Sequence, residues 1–201
     1  MTSLITADTA LLSPPRTTAE QCIRFMQARP HGEYTPADIE TIVGGYFELA
    51  CRAGLDPLLC VAQLIHETGN LTSALSQRQD RDGRPLRNPA GIGVTGERSK
   101  TPRAGFVFDA DRACYRRCCG FTVWIDEAIP AHIGRLLAYA LKPGQGDDQQ
   151  QLLIRRALSV RLLPQSYRGS APVLRGLGMR WALSALYPSK LAQIANAIRS
   201  L

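Results

Sequence analysis

Glu67 is the side chain best placed to do chemistry. It follows a run, Leu58 to Ile65, in which only Gln63 is polar, and the chain then turns abruptly polar through His66, Glu67, Thr68, Gly69 and Asn70. A carboxyl group at the end of a buried helix is partly desolvated, which raises its pKa toward the range a general acid needs. Such an acid suits glycoside hydrolysis. That reaction asks for a proton donor at the leaving oxygen and a second group that stabilises the oxocarbenium-like transition state or activates water. The second group should face Glu67 from a different element, and Glu97, Asp109 and Asp111 are the candidates. The competing reading is a helix-end carboxylate that caps a neighbouring loop.

Other chemistries fit less well. His66-Glu67 begins like a HExxH zinc motif, but Asn70 stands where the second histidine belongs, and the chain has 3 histidines in all. His66 and Cys60 lie close in sequence without any nucleophile-elbow context. The 6 cysteines read mainly as scattered core thiols, because three lie at apolar positions of helical stretches; disulfides are the alternative, and a metal site is disfavoured because Cys114, Cys118 and Cys119 have no paired CxxC elsewhere. No metal and no cofactor are expected. The stretch Asn88 to Gly96, NPAGIGVTG, carries glycines where backbone turns tightly or admits a ligand. Its GxGxxG spacing lacks the preceding strand and following helix of a dinucleotide site, which excludes that reading.

The elements that must position these residues are mostly helical. Asp56 as N-cap and Pro57 at the first helical position start the helix that carries Glu67. Thr17 or Thr18 with Glu20 or Gln21 resembles a capping box and predicts a short helix to about Arg29, and Thr35 with Asp38 starts an amphipathic helix that Gly54 closes. Strand signals are confined to 92–95, 105–108 and 121–125. Helix returns near Asp126 with Pro130 in its first turn, then over 148–160 and 187–199, with an irregular stretch over 163–181. A single domain over 17–201, with a β lobe at about 90–125, follows from this order; residues 1–16 read as a flexible arm ended by Pro14 and Pro15.

A length of 201 residues at 45% apolar composition supports one proper core. The net charge of +7 points to an anionic partner such as nucleic acid, an acidic wall polymer or a membrane surface. The excess is uneven, with eight bases and no acid over 149–201. No stretch approaches the roughly 20 apolar residues of a membrane span, and the first residues show no basic n-region of a signal peptide.

Four stretches together resemble the glucosaminidase domain of glycoside hydrolase family 73, the peptidoglycan N-acetylglucosaminidases of flagellar and autolysin type. They are GLDPLLCVAQLIHETGNLTS, NPAGIGVTG, FTVWIDEAIPAHIGRLLAYA and LGMRWALSALYPSKLAQIANAI, and the resemblance covers about 40–200. The acid pattern is carried by Ala62, Gln63, Glu67, Thr68 and Gly69, and a downstream N-x-x-G-I by Asn88, Gly91 and Ile92. The resemblance implies a mainly α, lysozyme-like α+β fold, with a helical lobe and a small β lobe flanking a glycan groove. It implies Glu67 as general acid and, counting back from Phe121, Asp109 as the second carboxylate, with Asp111 and Glu97 behind it. The family's Thr-Glu-Tyr surroundings are replaced here by Val107, Phe108, Asp109 and Ala110. Gln63, Asn88, Gly91, Ile92, Trp181 and Tyr187 are the implied substrate contacts.

The implied reaction is cleavage of the GlcNAc–MurNAc β-1,4 bond, by Asp109 acting on water or by the substrate's own N-acetyl group. The implied partner is the glycan strand of the bacterial wall, with no nucleic acid and a monomer favoured. A wall-binding module of the same fold without catalysis is the alternative. A nucleic-acid-binding protein, resting on charge alone, is the third.

Overall fold

The computed structural model describes residues 4–201. Local capping chemistry sets the helices. α1 (Ala19–Gln27) opens with a capping box of Thr18 and Gln21, and α2 (Pro36–Arg52) with one of Thr35 and Asp38. α3 (Pro57–Thr68) starts at Asp56, whose carboxylate accepts from Leu58 N, and ends at Gly69 in the left-handed conformation. α4 (Ile129–Ala140) follows one π turn, Trp124–Ala128, and has Pro130 in its first turn. α5 (Asp148–Val160) has a capping box of Asp147 and Gln150, and α6 (Tyr187–Arg199) completes six α-helices among the described residues.

α3 is the hub. Every residue from Pro57 to Ile65 is buried, and the helix packs against α6, α2 and α1. Burying each of Leu58, Leu59, Val61, Leu64 and Ile65 stabilises the fold by roughly 1.5–3 kcal/mol. α4 packs along α5 and beside α2, so its buried face closes the same core from the other side.

The β lobe is a three-stranded antiparallel sheet of β1 (Arg98–Ser99), β2 (Phe106–Asp109) and β3 (Cys114–Arg117), in the order β1-β3-β2. Arg98 pairs with Arg116, and Phe106 with Arg117. Its own small core joins Leu86, Val107 and Cys118. A mainly α, α+β architecture is therefore observed as expected.

Three expectations differ in detail. Residues 92–95 form no strand, because the Asn88 side chain occupies the backbone groups of Ile92 that a ladder would use. Residues 121–125 run extended only briefly before the π turn, and Cys114–Arg117 supplies the third strand instead. The arm expected to be free is docked over its described part. Ile5 and Leu11 are buried, Ala10 bridges Val173, Leu12 bridges Leu55, and Arg16 Nη1 reaches Asp56 Oδ2 at 2.7 Å. Its apolar residues have core to cover. Residues 1–3 of that arm lie outside the described residues. No helix among the described residues is long and apolar enough to cross a membrane.

Candidate active site

Glu67 sits on the last turn of α3, half-buried, and the chain beyond it is held firmly. Thr68 Oγ1 donates to Leu64 O and accepts from Leu71 N, while Asn70 Nδ2 donates to Met26 O and Pro30 O. The carboxylate cannot swing with its loop, because that loop is tied to α1.

Behind Glu67 runs a buried chain of hydrogen bonds with one direction. The Tyr187 hydroxyl donates to Glu67 Oε1 at 2.5 Å, and Gln63 Nε2 donates to the Tyr187 oxygen at 2.7 Å. An amide nitrogen only donates, so Gln63 Oε1 must accept, and its partner is His132 Nε2 at 2.9 Å. That fixes the proton on Nε2 and leaves His132 Nδ1 to accept from the Tyr46 hydroxyl at 2.8 Å. Burial pushes the His132 pKa down to about 3, so the imidazole is neutral, as this arrangement requires. Burial likewise pushes both tyrosine hydroxyls well above their ordinary pKa. Each donor polarises the next, and the chain ends on the carboxyl group.

The two Glu67 oxygens are thereby made different. Oε1 is occupied by Tyr187, so the acidic proton belongs on Oε2. That oxygen faces Gly91: a methyl group added there would stand 3.5 Å from it. Burial raises the Glu67 pKa, with the Tyr187 hydroxyl and the Trp181 indole pulling the other way.

In front of Glu67 is a cavity of about 320 Å³. The helical side contributes Arg135 and Tyr139 from α4, Arg161 after α5, and Arg180, Trp181 and Ala182 before α6. The opposite wall is Ala90 to Val94. Gly91 and Gly93 adopt φ of 63° and 72°, and a Cβ on Gly93 would meet Cys119 Sγ at 2.4 Å, so glycine is required there. Asn88 shapes this loop from beneath, donating to Ile92 O and Cys119 O and accepting from Ala90 N and Ile92 N.

Of the implied contacts, Gly91, Ile92 and Trp181 line the cavity with Glu67, whereas Gln63, Asn88 and Tyr187 are buried behind it. The second carboxylate is not brought to Glu67. Asp109 is fully buried in the β lobe, where Oδ2 accepts from Arg116 at 2.8 Å and Arg112 at 3.2 Å. Asp111 accepts from Ala74 N, and exposed Glu97 lies 3.4 Å from Arg117. None of the three lines the cavity. Sequence reasoning missed His132, Tyr46, Tyr139 and the three cavity arginines. A lone histidine on an otherwise apolar helix was the one local signal among them.

No protein-family model matches the chain, and no curated protein does. Two solved structures of S. aureus Autolysin E do, each covering 100% of this chain and 74% of that one. One, a complex with the muropeptide NAM-L-Ala-D-iGlu, is 11% identical with a TM-score of 0.48. The other, a catalytic glutamate-to-alanine mutant in complex with the disaccharide NAG-NAM, is 14% identical with a TM-score of 0.52. The chain thus has the fold of S. aureus Autolysin E, the lysozyme-like arrangement of a helical lobe and a small β lobe.

Proposed function

We propose that the chain is a glycoside hydrolase of the glucosaminidase type that cuts the β-1,4 bond between N-acetylglucosamine and N-acetylmuramic acid in the bacterial wall. The single observation that supports this most is Glu67 itself: a carboxyl group raised by burial, held on one oxygen and open on the other to a cavity. The shared fold with a protein crystallised with NAG-NAM supports the substrate class.

In this reading Glu67 Oε2 gives its proton to the glycosidic oxygen as the C–O bond breaks. Among the described residues no second carboxylate lines the cavity, so the oxygen of the substrate's own N-acetyl group closes on the anomeric carbon in its place. Water then opens that cyclic cation and returns a proton to Glu67. Asp109 stays in the β lobe as the partner of Arg112 and Arg116.

Glu67→Gln keeps the Tyr187 contact and removes the acid. Release of reducing ends from purified sacculi should fall about 10²- to 10⁴-fold. Undiminished release would sink the assignment. The absence of a facing carboxylate also favours a second reading, a wall-binding module without catalysis. Mass spectrometry of muropeptides separates the two, because that module pulls down with sacculi and leaves every glycosidic bond intact.

A further inference from the structure

Three guanidinium groups share the cavity with Glu67. Arg135, Arg161 and Arg180 all line it, and among the described residues Glu67 is the sole carboxylate that does. Among the described residues none of the three forms an ion pair, whereas Arg16, Arg78, Arg84, Arg112 and Arg116 all do. Arg135 is the most constrained. Its Nη1 donates to Arg161 O at 3.0 Å, and its guanidinium carbon lies 5.9 Å and 5.8 Å from the Tyr139 and Trp181 ring centres. Arg180 is steered by a contact of Nη1 to Gly176 O at 3.3 Å.

Arg135 is half-buried while Arg161 and Arg180 are exposed at the rim, and gathering three like charges around one concavity is unfavourable unless an anion enters it. The same arrangement concentrates positive potential at the cavity mouth. Planar guanidinium groups match carboxylate oxygens in pairs, and such charge-assisted bonds are the strong ones. A neutral sugar polymer would leave all three cations unanswered.

We infer that Arg135, Arg161 and Arg180 form a recognition site for a carboxylate of the glycan beside the scissile bond, so that the cavity selects acidic strands over neutral N-acetylglucosamine polymers. This rests on the glucosaminidase reading above. The carboxylate has two chemical sources. A muramic residue without peptide carries it on the lactyl ether; in a residue bearing a stem peptide the lactyl group is an amide and the carboxylates lie further out.

The test uses the full chain carrying Glu67→Gln and equilibrium binding at low salt. Its probes are tetrasaccharides of alternating GlcNAc and MurNAc with free lactyl groups, the same sugar with those groups as methyl amides, the stem-peptide form, and neutral chitotetraose. Free-lactyl or peptide-bearing strands should bind at least about tenfold more tightly than the blocked and neutral ones, the equivalent of one charge-assisted bond. Which of the two is preferred identifies the source. Adding Arg161→Gln with Arg180→Gln, both at exposed positions, should shrink that preference to near unity; circular dichroism checks the fold. Equal binding of charged and blocked strands, or a preference that survives both replacements, overturns the inference and leaves the hydrolase reading standing. If the parent chain neither binds nor cleaves any of these glycans, the hydrolase reading fails and takes the carboxylate site with it.

Discussion

Tyr187 sets the working range of Glu67 in the proposed reaction. Its hydroxyl donates to Oε1 and stabilises the ionised carboxylate, against a burial effect that favours the neutral acid. Removing the hydroxyl in Tyr187→Phe takes away a lowering influence, so the Glu67 pKa should rise further. A general acid is lost as pH climbs through its pKa, and the alkaline limb of kcat/KM should therefore move to higher pH in that variant, with a lower plateau. A limb that stays in place or moves down would separate Tyr187 from the acid. Single residues of this site were unevenly legible. Glu67 announced itself because an apolar helix ends on it, a local pattern. The surroundings of Asp109 were not legible, because sequence shows a carboxylate near a strand and hides its two arginine partners. The cavity arginines stand at positions 135, 161 and 180, and no spacing rule joins residues that only tertiary packing assembles.

At the level of elements, the contact of α4 with α5 carries the site's basic wall. Gly134 lies in that contact, and a Cβ there would meet Leu153 O at 2.1 Å. Alanine is the better helix former by about 1 kcal/mol. Steric conflict should nevertheless win, and Gly134→Ala should destabilise by about 1–3 kcal/mol in urea unfolding. Because Arg135 is the next residue and bonds to Arg161 O, the shift should also disturb the cavity. A gain in stability would show that the helices part without strain. Helix starts were readable because caps are local: Thr18, Thr35 and Asp56 each act within three residues. The β lobe was less so. β3 reads Cys-Tyr-Arg-Arg with no alternating apolar face, and its pairing comes from residues up to 18 positions away, as for Arg98 and Arg116.

For the whole molecule, the buried neutral His132 ties stability to pH. Its folded pKa is about 3 against an ordinary 6.5, so between these values the unfolded chain binds the extra proton. Stability is fully present above about pH 6.5 and falls by about 1.4 kcal/mol per unit below it. Half-buried His66, lowered by burial and by Lys190, acts in the same sense. Glu67 and Asp56, both raised by burial, oppose it where carboxyl groups titrate. Urea midpoints should therefore drop between pH 7 and pH 5, and drop less in His132→Gln; equal drops in both chains would refute the role. The relay has a further consequence for assembly. Glu67 and the hydroxyl that orients it are 120 positions apart, joined only when α6 docks on α3. During synthesis the carboxyl group therefore spends its first moments solvated and symmetrical, with nothing to tell its two oxygens apart. The polypeptide acquires a directed proton only as α6 arrives, so the capacity to cut, in the proposed reaction, matures together with the docking of α6 on α3.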